Sequence, residues 1–152
     1  LNADDVKTFP PSQVILLDEQ RDFRERLDDK AKWLVLPYWK AASRLASKEG
    51  SSTLFGKMLF NPLRTFTAQS RVEQRLAMLQ IVEALRLHAA ANKGALPAKL
   101  DDIDLPVPVD PFTGKPFLYT LADGKATLRG TPPRGSEKIA AFNIVYEIRI
   151  KK

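Results

Sequence analysis

Four carboxylates fall within ten residues: Asp101, Asp102, Asp104 and Asp110. Such a group could grip a hard cation, because calcium and magnesium take oxygen ligands. It could also supply a general acid and a general base. The spacing is not that of an EF-hand loop, and Pro106 and Pro108 interrupt it. Interleaved prolines favour caps and turns, where an Asp side chain bonds nearby backbone N–H groups. His88 is the sole histidine and the chain has no cysteine. Disulfides, thiolate metal sites, Cys nucleophiles and multi-histidine metal sites within one chain are therefore excluded. No G-x-S-x-G, P-loop or G-x-G-x-x-G motif occurs. His88 falls on a helix apolar on two sides, where an imidazole bonded to a carbonyl is the expected role. These residues point away from an enzyme, and no metal or cofactor is implied.

A row of basic residues offers a different chemistry. Arg64, Arg71, Arg75, Arg86 and Lys93 are spaced 7, 4, 11 and 7 apart. On an unbroken helix they share an arc of about 60°. The chain carries 24 basic and 18 acidic residues, a net charge of +6, and residues 50–95 alone hold +4 of it. Such a ridge suits an anionic partner: nucleic acid, anionic lipid or a charged glycan. The plainer assignment is a solvated edge between two buried faces, with Arg and Lys stems lying over apolar surface. No aromatic set is interleaved along the ridge, as single-strand binding would require, and no helix-turn-helix pattern accompanies it. The aromatic group Trp33, Tyr38 and Trp39 could form a partner site, but large aromatics more often anchor a core.

The elements that must position these groups are legible from periodicity. Residues 11–49 read as helix, broken at Pro37 by the missing N–H and the clash with the preceding turn. Leu16, Phe23, Leu27 and Leu34 share one face, expected to pack on the core. Asp18, Asp22, Glu25 and Asp29 lie nearly opposite, expected to face outward. Leu54–Phe60 reads as one or two helical turns. Asn61-Pro62 is an N-cap followed by a proline at the first helical position. From there a helix is expected to run to Lys93, with Gly94 as the left-handed residue that ends it. Val72, Leu76, Leu79 and Leu87 would line one side of it; Met78, Ile81, Val82, Leu85 and Ala89 would line the other. A helix apolar on two sides is expected to be buried between two layers. Beyond Gly94 the prolines multiply. Ala98–Ile103 reads as one helical turn, Phe117–Leu121 and Lys125–Arg129 as strands joined at Ala122-Asp123-Gly124, and Asn143–Ile150 as an alternating strand. The expected class is α+β: N-terminal helices (residues 1–60), then a long central helix packed with a small C-terminal antiparallel sheet (61–152). No apolar run is long enough to span a membrane.

Four stretches carry a family likeness: Ala84-Leu85-Arg86-Leu87-His88, then Gly94-Ala95-Leu96-Pro97 and Leu100-Asp101-Asp102-Ile103, then Pro108-Val109-Asp110-Pro111-Phe112-Thr113-Gly114-Lys115-Pro116-Phe117-Leu118-Tyr119. This order resembles the periplasmic part of type II secretion pseudopilins and related pilin-like domains. There a long helix ends at a Gly, and an Asp-Pro-Trp-Gly-x-Pro-Tyr turn leads into the first strand. It is similar also to the C-terminal module of large bacterial envelope-type proteins. The likeness covers residues 75–130, about a third of the chain. It implies a non-catalytic envelope or interaction module whose partners are other envelope proteins. It also implies an extracytoplasmic place, or one held to a membrane through a segment before Leu1. The hydrophobic pilin N-terminus, its processing site and the calcium loop of the major pseudopilins have no counterpart here. Filament assembly and calcium binding are therefore not part of the expectation.

Overall fold

The structure is a computed structural model and describes residues 7–46 and 62–150. Its described part is α+β: helices α1 (Pro11–Leu34), α2 (Tyr38–Leu45) and the long α3 (Pro62–Ala91), then strands β1 (Leu118–Ala122), β2 (Lys125–Arg129) and β3 (Val145–Arg149). The helix expected at Leu54–Phe60 and the cap expected at Asn61 lie outside the described residues. Two compact units divide the rest. One holds α1 with residues 40–46 and 62–64; the other holds Pro37–Trp39 with residues 65–150.

In the first unit, Pro11 occupies the first helical position of α1, where its missing N–H costs nothing. Pro37 separates α1 from α2 as expected. Asp18 pairs with Arg21 (2.6 Å) and Asp29 with Lys32 (2.8 Å), both one turn apart along α1 and exposed. The guanidinium of Arg44 lies 5.5 Å from the centre of the Trp33 ring. The expectation that Leu16, Phe23, Leu27 and Leu34 pack on a core is not met, since α1 has no buried residue. The physical reason is a thin stripe. Gln13, Gln20 and Lys30 share the helical face of these apolar residues, so the face is too narrow and too polar to carry a helix into a core.

The second unit is built on one face of α3. Phe66, Ser70, Gln74, Ala77, Met78, Ile81, Ala84, Leu85 and Ala89 are its buried residues, one stripe at helical spacing. The opposite side is not covered. Val72, Leu76, Leu79 and Leu87 are exposed, Leu79 to 49% of its area. The expected burial between two layers is thus corrected: a three-stranded sheet and the loops leading into it form a single layer, which shields one side of a helix only. The sheet has the order β1-β2-β3, antiparallel throughout. Tyr119, Leu128 and Tyr146 stand in register, as do Leu121, Ala126 and Ile148. Alternation places these toward α3, where Ala126, Leu128 and Ile148 join Met78, Ile81, Leu85 and Phe117 in one core. Asp123 and Gly124 both take positive φ (51° and 70°), the two-residue turn whose twist suits a hairpin.

The end of α3 differs in detail from expectation. The helix stops at Ala91, and Lys93, not Gly94, is the first residue in the left-handed region (φ 54°); Gly94 follows at 87°. The Gly94 N–H donates to the Ala89 carbonyl (2.7 Å), the six-residue closure of a Schellman end. Asn92 adds two bonds to the His88 carbonyl, from its backbone N–H (3.0 Å) and from its side-chain amide (2.8 Å). A side chain able to reach back one turn satisfies the orphan carbonyl and lets the helix end early.

Candidate functional site

Asp110 is fully buried, and its carboxyl oxygens are heavily used. They accept from the Phe112 N–H (2.9 Å), the Thr131 N–H (2.7 Å) and the Gln74 side-chain amide (3.0 and 3.1 Å). Its backbone closes the same turn: the Asp110 N–H donates to Lys115 O, and the Asp110 carbonyl receives Thr113 and Gly114 N–H. The Asp-Pro-Phe-Thr-Gly sequence therefore folds as the turn its residue types suggest. Gln74 carries the link to α3. Its Nε2 also reaches the Thr131 carbonyl (3.0 Å), so three oxygen acceptors fix the orientation of the amide. Gln74 Oε1 and the neighbouring Ser70 Oγ are buried without a hydrogen-bond partner. Gly130 lets the chain pass this amide closely, since a Cβ there would stand 2.6 Å from Gln74 Nε2. Asp110 is thus a fastener joining α3, the turn and the exit of β2.

The other three carboxylates do not converge on it. Asp102 accepts from the Lys99 N–H (2.9 Å) at the start of the 3-10 turn Leu100–Asp102, and Asp101 and Asp104 are exposed. Among the described residues no three His, Cys, Asp or Glu side chains gather as metal ligands would. Tyr119 donates its phenol proton to the Pro97 carbonyl (2.8 Å), and its phenol is held above the usual range by burial and then by the negative charge of Asp102. His88 is half-buried, and it is its carbonyl that the helix end uses.

The basic row is divided by its surroundings. Arg71 lies over the Phe142 ring at 5.7 Å, and Arg86 is paired with Glu83 along the helix. Arg64 and Arg75 are exposed with no ionic partner among the described residues. Lys93 sits beyond the end of α3 with a left-handed backbone, so it does not continue the helical row. Of the three aromatics, Tyr38 is half-buried and packed between two buried rings: it meets Phe66 at 5.5 Å and Phe112 edge-on at 4.9 Å. Trp39, 40% exposed, lies against Gly114, where a Cβ would come within 2.8 Å of its ring.

A feature without a sequence signal is a groove of about 380 Å³ between α3 and β3. Leu79, Val82 and Arg86 form one wall, and the consecutive residues Val145–Ile150 form the other. Periodicity identifies both elements, but not that the last strand would lie at the sheet edge beside the exposed side of the helix. No described helix is long and apolar enough to cross a membrane. No protein-family model, curated protein or solved structure matches the chain. The fold therefore defines the class, an α+β domain with a long helix backing a three-stranded antiparallel sheet.

Proposed function

We propose that the chain is a non-catalytic interaction module of the bacterial envelope, pilin-like in its C-terminal half. The observation that carries this reading is the exposed apolar line Val72, Leu76, Leu79 and Leu87 on α3, opposite the side that holds the core. Large apolar side chains left exposed together on one helix side suit contact with another macromolecule. The order of a long helix, an Asp-Pro turn and an antiparallel hairpin supports the pilin-like part. The buried member of the carboxylate group, the one best placed for unusual chemistry, is occupied by fastening the fold.

A second reading, an anion- or nucleic-acid-binding module using the basic face, is supported by Arg64 and Arg75, which have no ionic partner among the described residues. One pair of measurements separates the two. Photo-cross-linkers placed at Leu76 and Leu87 should yield discrete adducts with a different protein of the envelope, while one at Thr120, on the outer face of the sheet, should not. Titration with duplex DNA, RNA or anionic vesicles should give no salt-sensitive binding. Binding that falls steeply with salt and is lost in Arg64→Ala/Arg75→Ala would favour the second reading and sink the first.

A further inference from the structure

β3 is an edge strand, and its unpaired side has a definite chemistry. The Gly130 N–H donates to the Ile144 carbonyl (3.1 Å), which sets the phase of the β2–β3 ladder. Because bonded residues alternate in an antiparallel pair, Tyr146 and Ile148 bond inward to β2. Val145, Glu147 and Arg149 then point their N–H and C=O groups outward. No loop or turn backbone bond among the described residues reaches these three. Along the same edge runs the groove walled by Leu79 and Val82. Charge is unbalanced there too. Arg149 stands directly opposite Lys125 on β2, a like-charged cross-strand pair. Glu147, the acid on the same strand, is bonded to Lys125 (3.0 Å). Arg149 is left with no acidic partner among the described residues.

We propose that this edge pairs antiparallel with β3 of a second copy of the chain, about a two-fold axis through Ile148, giving a continuous six-stranded sheet. The backbone requires outward-pointing residues to face one another, which limits the axis to positions at a residue. Charge then selects among them. An axis at Glu147 sets Glu147 against itself, and an axis at Arg149 sets Arg149 against itself. An axis at Tyr146 leaves Arg149 beyond reach of an acid. Only the axis at Ile148 sets Glu147 opposite Arg149 of the other copy, twice. The same register sets Ile148 against Ile148 and Tyr146 against Ile150 on the face toward α3, so apolar side chains meet over the groove. An edge that carries one charge of each sign in self-complementary order fits itself better than it fits a uniformly charged strand.

Sedimentation velocity of the full 152-residue chain over a range of concentrations tests it. The wild type should sediment as a reversible dimer. Arg149→Glu should weaken the dimer at least about tenfold, because two attractive cross-strand pairs become repulsive. Glu147→Pro should weaken it as well, by removing an outward N–H that the monomer does not use. The double exchange Glu147→Arg/Arg149→Glu should restore it. Hydrogen exchange on the wild type checks the edge without any variant: the Glu147 and Arg149 amides should gain protection as concentration rises. A wild type that stays monomeric at millimolar concentration overturns the proposal. So does a dimer indifferent to the edge variants, or one that the double exchange fails to restore.

Discussion

Asp110 shows how a single side chain can fasten three segments. Its carboxyl group receives two backbone N–H groups and the Gln74 amide, all in a place closed to water. A buried acceptor with several donors aimed at it is costly to alter, because each donor left without a partner keeps its full desolvation penalty. Asp110→Asn keeps the shape but turns one acceptor oxygen into an NH₂ group facing donors. We expect it to destabilise the fold by about 2–4 kcal/mol in denaturant melts. Combined with Gln74→Ala, the losses should fall short of additivity by about 1 kcal/mol or more, since both changes break the same bond. Additive losses would show that Gln74 and Asp110 act separately. The turn role of Asp110 was legible in the sequence, because Asp-Pro-x-x-Gly is turn chemistry. Its burial was not: Gln74 is 36 positions away, and a polar residue on a helix reads as solvent-facing until its partner is known.

At the scale of elements, what could be read followed from local rules and what could not depended on the number of layers. Pro37 separated two helices, and Pro62 began α3. Asp123-Gly124 made the hairpin, and the alternation around Tyr146 and Ile148 made a strand. Each rests on steric or hydrogen-bonding constraints within a few residues. The two apolar sides of α3 were equally plain, yet periodicity states which residues share a side and not whether anything covers them. A matched pair of substitutions exposes the difference. Leu85 has no exposed area, and Leu85→Asp should destabilise by about 3–5 kcal/mol by burying a charge without a partner. Leu79→Asp places the same charge on the exposed side. At low protein concentration it should stay within about 0.5 kcal/mol of the wild type. Equal losses in thermal or urea melts would mean that both sides of α3 are covered in the monomer.

The whole molecule distributes stability unevenly along its length. The main hydrophobic cluster lies entirely between Ala77 and Ile148, while α1, 24 residues long, contributes no buried side chain. Ion pairs along it, such as Asp18 with Arg21 and Asp29 with Lys32, are exposed, and pairs of that kind are worth at most about 1 kcal/mol each. Charge is uneven as well: residues 1–49 are neutral, and the net +6 resides in residues 50–152. The main core thus belongs to the unit made of Pro37–Trp39 and the residues from Thr65 onward. That unit needs Tyr38, whose ring contacts Phe66 and Phe112. A chain starting at Pro37 should therefore melt cooperatively, with a free energy of unfolding within about 1 kcal/mol of the full chain, the scale of exposed interactions. Removing Tyr38 too, as Tyr38→Ala in the shortened chain, should cost about 2–3 kcal/mol, since the ring is half-buried and loses two aromatic contacts. If the shortened chain instead loses its cooperative transition, α1 supplies stability that its exposed side chains do not account for.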